Sequence, residues 1–143
     1  AVKPGVLFSD INKACQAVLA RGLADMGVLT VSAEESLKPE VGLHRRWTLH
    51  GVSHHLGLDV HDCAQARKEM YLDAPLREGM VLTVEPGLYI QPDDELFAPE
   101  YRGIGIRIED DVMVTADGCR NLSEDIPRHP DDIEKWMKRI LGR

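Results

Sequence analysis

The sequence predicts an α+β fold with an antiparallel sheet and covering helices, on three observations. Apolar side chains recur at three- and four-residue intervals from Ile11 to Met26, the stripe of an amphipathic helix. Short runs rich in β-branched residues follow at 81–85 and 104–114, set off by Pro and Gly. A second helix is signalled by Pro130, with Asp131, Asp132 and Glu134 at its start and Lys138 and Arg139 at its end, a charge order that complements the helix dipole.

Taken in order, Ser9 or Asp10 is expected to cap a first helix starting near Ile11. Ile11, Cys15, Val18, Leu19, Leu23 and Met26 form its stripe, and Gly27 is a plausible C-cap. Residues 34–40 suit a short helical turn limited by Pro39, and 47–52 a strand leading into a histidine-rich stretch. Residues 62–79 are polar and expected as a loop; 81–85 read as a strand ended by Pro86-Gly87. Residues 91–103 are expected as a surface excursion. The clearest strand is 104–109, continuing into 112–114, and Asp117-Gly118 is a turn. There is no internal repeat, low-complexity tract or linker, so the 143 residues are expected to form one domain.

Composition narrows the function. Against 17 basic residues stand 24 acidic ones, a net charge of -7, which argues against nucleic acid as a partner. No apolar run approaches the roughly 18–20 residues of a membrane span, and no secretory signal opens the chain. Cys15, Cys63 and Cys119 are scattered and unpaired in sequence; they are expected to be reduced thiols buried as small hydrophobes, which suits a cytoplasmic address. The opening residues, 1–5, lack an initiator Met and read as the approach to a helix within something longer.

Four of the six histidines fall within HGVSHHLGLDVHD, residues 50–62. Side chains alternate across a strand, so Gly105, Arg107 and Glu109 share the face opposite Ile104, Ile106 and Ile108. The Gly there leaves room for something to approach. Likewise Val81, Thr83 and Glu85 share a face, with Glu85 at the strand end. Two strands thus offer one carboxylate each, and the histidine stretch can offer an imidazole beside them. Such an oxygen-rich set suits Mn, Fe, Co or Zn, and a metal so held lowers the pKa of a bound water towards about 7. Strand carboxylates also form ordinary salt bridges, and the residues alone leave both readings open. His55 is read as packing, and His44 and His129 as surface residues. There is no H-E-x-x-H, no G-x-S-x-G around Ser53 and no P-loop.

Three blocks in order, HGVSHHLGLDVHD (50–62), TVEPGLY (83–89) and RGIGIRIEDDVMVT (102–115), resemble the C-terminal signature blocks of the bacterial Xaa-Pro aminopeptidases. These are dinuclear metallopeptidases of the pita-bread fold shared with prolidase, methionine aminopeptidase and creatinase. The resemblance runs from about Val2 to the end. It implies that His54 and Glu85 bind one metal, that Glu109 bridges two, and that Glu85 shuttles a proton. It further implies that His50 lines the substrate site, that His61 hydrogen-bonds the tetrahedral intermediate, and that Arg107 pairs with a carboxylate of the site, with Tyr89 a weaker candidate behind these. The implied cofactors are two divalent ions, with Mn2+ expected. The implied substrate is a peptide with proline second, cleaved before the proline.

The family has two further aspartate ligands on strands upstream of the first helix, and Asp59, Asp62 and Asp73 do not sit in that context. The expectation is therefore the C-terminal part of a catalytic domain, with an incomplete second metal site and little or no activity alone. Exposed sheet edges lead to the expectation of a homo-oligomer or of association with the missing half. Prolidase is the runner-up, and a non-catalytic peptide-binding module of the same fold the reading from another class.

Overall fold

The first helix, α1 (Phe8–Asp25), is held at both ends by contacts distant in sequence. The computed structural model, which describes residues 1–142, starts α1 three residues before the expected Ile11. Its N-cap is Leu7, with no side-chain cap. The loop 72–76 does the capping: the Phe8 and Ser9 amides donate to the Ala74 and Leu72 carbonyls at 3.0 and 2.9 Å. Orphan N–H groups of a first turn donate to any well-placed carbonyl, and these two carbonyls come from a segment whose sequence pattern predicts only a loop. At the other end Gly27 takes φ +72°. Val28 N–H then reaches the Leu23 carbonyl and Gly27 N–H the Ala24 carbonyl, closing a Schellman motif.

Two apolar clusters meet α1. Phe8 and Ile11 pack with Leu76, Leu82 and Val114; Leu23 packs with Val28, Trp47, Ile90 and Phe97. Each fully buried aliphatic side chain here contributes roughly 1.5–3 kcal/mol. Val18 and Met26, expected on the buried stripe, point to solvent.

A short helix α2 (Ala33–Ser36) is capped by Ser32, whose hydroxyl accepts from the Glu35 amide at 3.1 Å. The expected strand at 47–52 is absent. A 3-10 turn at Leu43–Arg46 occupies the approach, and the strand proper is β1 (His55–Leu56). Trp47 is drawn into the second cluster, with its indole N–H 2.6 Å from Asp94 Oδ2.

The remaining strands are β2 (Val81–Val84), β3 (Gly87–Tyr89), β4 (Gly105–Arg107), β5 (Asp110–Val114) and β6 (Cys119–Asn121). All pairings are antiparallel. One sheet runs β1-β2-β5-β6, and β3-β4 is a separate two-stranded sheet. The strand expected to run through 104–114 is therefore two strands in two sheets. Val84 pairs with Asp110 in the first, Gly87 with Arg107 in the second. Between them lie Glu85-Pro86 on one side and Ile108-Glu109 on the other. Pro86 has no N–H to donate, which breaks the ladder there. Both candidate carboxylates sit at this crossing from sheet to sheet. The isoleucine face of β4 stays exposed.

The excursion at 91–103 is more than surface. It buries Phe97, and it buries Asp94 to 1% exposure under Arg46, Trp47 and the Leu96 amide. The closing helix α3 (Pro130–Leu141) matches its expected start, and Gly142 caps it at φ +64°. None of its residues is buried. The cysteines are free, but Cys63 and Cys119 are exposed and Cys15 is half-buried, contrary to the expectation of three buried thiols. No described helix is long and apolar enough to cross a membrane.

Candidate metal centre

Glu85 follows β2 directly and is buried to 7% exposure. His54 precedes β1, which pairs with β2 through His55 and Leu82, so the imidazole lands beside the carboxylate. His54 Nε2 lies 3.2 Å from Glu85 Oε1. Glu109, at the sheet crossing, completes the group: one ligand atom from each of His54, Glu85 and Glu109 lies within 4.8 Å of the others. Among the described residues no other group of three or more His, Cys, Asp or Glu converges in this way.

The hydrogen bonds around the trio constrain its chemistry. His54 Nδ1 donates to the His55 carbonyl at 3.1 Å. In the neutral ring Nε2 then carries a lone pair, and that lone pair faces a carboxylate oxygen. Two acceptors at 3.2 Å repel each other unless a proton or a cation lies between them. With Glu109 beside them, one imidazole and two carboxylates make a donor set that fits a divalent first-row ion. Arg107 Nη1 stands 3.6 Å from Glu85 Oε2. The site is walled by Glu85 on one side and open at Glu109, which is exposed.

The other histidines divide by surroundings. The 50–62 stretch turns back on itself, with the Asp62 amide donating to the His55 carbonyl at 3.0 Å. This closure brings the His61 ring edge-on to His54, centroids 4.4 Å apart. Gly57 permits it, since a Cβ there would sit 2.1 Å from Asp62 Oδ2. His50 Nδ1 donates to the Gly51 carbonyl at 2.8 Å, so Nε2 accepts from the Tyr89 hydroxyl at 2.7 Å. His55 packs between Phe8 and Tyr71, and burial holds its pKa below the usual imidazole value despite the Val81 carbonyl and Asp62. His44, expected at the surface, is buried against Ser36, and burial likewise lowers its pKa. His129 is exposed.

The space over Gly105 is filled from within. A Cβ at Gly105 would lie 3.0 Å from Tyr89 Cδ1, and one at Gly87 2.5 Å from the Tyr89 hydroxyl oxygen. The two glycines clear a bed for the Tyr89 ring, which carries its hydroxyl to His50. Sequence reasoning missed Thr83 and Tyr71. Thr83 donates to Glu85 Oε1, and Tyr71 accepts the His55 amide through its hydroxyl. For Thr83 a signal existed: a hydroxyl two residues before Glu85 on the same strand face.

The model of metallopeptidase family M24 matches residues 1–116. The chain belongs to metallopeptidase family M24. This M24 chain is 56% identical over 142 residues to Xaa-Pro aminopeptidase 1 of Streptomyces coelicolor, covering 99% of the chain and 28% of that relative. To the Xaa-Pro aminopeptidase of Escherichia coli it is 41% identical over 138 residues, 94% of the chain and 30% of the relative. Among solved structures, Pseudomonas aeruginosa aminopeptidase PepP superposes with a TM-score of 0.88 at 35% identity, over 99% of this chain and 31% of that one. E. coli aminopeptidase P with the inhibitor Pro-Leu gives 0.85 at 39%, with the same coverage. The M24 chain thus has the α+β architecture of part of the pita-bread fold of these structures and spans less than a third of the length of these relatives.

Proposed function

We propose that this M24 chain carries the catalytic half-site of a metal-dependent aminopeptidase that removes the first residue from peptides with proline second. The convergence of His54, Glu85 and Glu109 within 4.8 Å carries the reading. The names of the relatives support the Xaa-Pro preference.

Glu85 and His54 would hold a divalent ion, with Mn2+ our candidate, and Glu109 would bridge to a second. A bound ion supplies Lewis acidity, making a water nucleophilic near neutral pH. The side chains do the rest. Glu85 takes the proton of the attacking water and returns it to the departing imino nitrogen, which has no proton of its own when proline follows the scissile bond. Arg107 holds Glu85 Oε2 by charge while the proton moves. His61, beside His54, donates to the carbonyl oxygen as negative charge develops there. His50, oriented by Tyr89, lines the space for substrate.

The 143 residues supply one nearly complete ligand set and only Glu109 towards a second ion, so we propose weak second-site binding and little activity for the chain by itself. Exposed sheet edges support self-association or pairing with further polypeptide. Two exposed thiols suit a reducing compartment such as the cytoplasm.

The test compares hydrolysis of an Xaa-Pro-Xaa peptide, with Mn2+ added, by the 143-residue chain and by the longest polypeptide that carries it in its host. Activity in the longer form together with bound metal is expected. A longer form that binds no metal and leaves the peptide intact defeats the proposal, and cleavage of Xaa-Pro dipeptides alone would make it a dipeptidase.

A further inference from the structure

We propose that Thr83 is a positioning residue that sets the His54 imidazole against the Glu85 carboxylate. The inference rests on the metal-centre reading above. In an antiparallel pair, residues at a hydrogen-bonded position exchange two N–H···O=C bonds. His55 opposes Leu82, so the next pair is His54 with Thr83. Only half of that exchange is made. Thr83 N–H donates to the His54 carbonyl at 2.9 Å. The His54 N–H instead donates to Thr83 Oγ1 at 3.1 Å. The Thr83 carbonyl, left without its strand partner, accepts from Ser53 Oγ at 2.5 Å.

One ladder bond is thus replaced by two hydroxyl bonds at the residue that presents the imidazole. The replacement frees the His54 backbone from flat strand geometry without leaving a buried polar group unsatisfied. It also fixes the direction of the Thr83 proton. A threonine hydroxyl has one proton to give. With its oxygen accepting from the His54 amide, that proton goes to Glu85 Oε1, 3.1 Å away. A single atom therefore holds the backbone of one candidate ligand and the carboxylate of the next.

Packing does not call for the hydroxyl. Thr83 is 1% exposed, and its strand neighbours are Val81, Leu82 and Val84. Valine has the same shape and the same preference for a strand, and lacks only the oxygen.

The test uses Thr83→Val and Thr83→Ser in the 143-residue chain, with circular dichroism to establish folding. On metal-free protein, hydrogen exchange of the His54 amide is expected to quicken about tenfold in T83V and to stay close to wild type in T83S. Mn2+ affinity, read by calorimetry or electron paramagnetic resonance, is expected to fall about tenfold or more in T83V and to be restored in T83S. Wild-type exchange and affinity in T83V overturn the proposal, as does a T83S variant as impaired as T83V. If T83V does not fold, Thr83→Ala is read against T83S by the same criteria. Wild-type chain that takes up no Mn2+ would defeat the metal reading, and the His54 exchange rates would then decide the role of Thr83.

Discussion

His54 Nε2 and Glu85 Oε1 face each other at 3.2 Å, while the other ring nitrogen of His54 is committed as a donor to the His55 carbonyl. An arrangement of this kind asks for a proton or a cation between the two atoms. Replacing either group should remove most metal binding: His54→Ala and Glu85→Gln are each expected to weaken Mn2+ uptake on the order of 100-fold or more, since removing even outer partners of ligands costs 10–100-fold. Calorimetric titration of the folded variants checks this. Because these groups would bind metal in their deprotonated forms, affinity in the wild type should rise with pH and binding should release protons.

Tyr89→Phe should free His50 Nε2 without opening a cavity, as the ring stays between Gly87 and Gly105. The expected loss is one hydrogen bond, about 1 kcal/mol, seen as a roughly fivefold to tenfold drop in kcat/KM for an Xaa-Pro peptide in an active form. On the 143-residue chain, imidazole 15N shifts should report a more mixed His50 tautomer. An unchanged tautomer would mean that the Gly51 carbonyl alone orients the ring.

Burial lowers the pKa of both His44 and His55. Between the unfolded value and the depressed folded one, the unfolded chain binds more protons than the native chain. Their stabilisation is therefore complete above the ordinary histidine range and is lost as pH falls from there through the folded values. Urea midpoints should drop on going from pH 7.5 to pH about 5, and His44→Gln should flatten the dependence. A midpoint that rises on acidification contradicts the assignment.

Asp94 gives a lower window. Burial works against its ionised form, but the bonds from Arg46 and Trp47 outweigh it and hold the carboxyl below its usual range. Its contribution is present above the ordinary carboxylate range and is lost as pH falls through the depressed value. Asp94→Ala should destabilise the chain at neutral pH by about 1–3 kcal/mol, the cost of leaving the buried Trp47 donor unpaired. The gap between variant and wild type should narrow in acid.

Gly27 sits at φ +72° in the Schellman turn. Gly27→Ala is expected to cost about 1–2 kcal/mol from the left-handed backbone alone, as no atom lies within 4 Å of the added Cβ. Leu23→Ala, which opens the second cluster, should cost about 2–5 kcal/mol. Equilibrium urea unfolding ranks the two.

Much of the fold was legible locally. The stripe of α1, the Asp117-Gly118 turn and the Pro130 start of α3 follow from periodicity and backbone preference over a few residues. The failures share a cause. The cap of α1 comes from carbonyls more than sixty residues away, at 72 and 74. The run at 104–114 divides because its two halves find different partners, β3 and β2. His44 and Asp94, polar by type, are buried because Ser36, Arg46 and Trp47 meet their hydrogen-bonding needs. None of these partners can be read from the neighbouring residues.

By itself the sequence determined which donor atoms exist and on what kinds of segment they ride: imidazoles at 50, 54 and 61, carboxylates at 85 and 109, a guanidinium at 107. Side-chain chemistry and local backbone preference are properties of a few adjacent residues, so they survive without the rest of the molecule. Only the tertiary structure decided that His54, Glu85 and Glu109 meet. That meeting depends on the registers His55 with Leu82 and Val84 with Asp110, and on the crossing from one sheet to the other at Glu85-Pro86. Those registers are chosen by burial and hydrogen bonding between segments more than twenty-five residues apart, where no local pattern carries the energy.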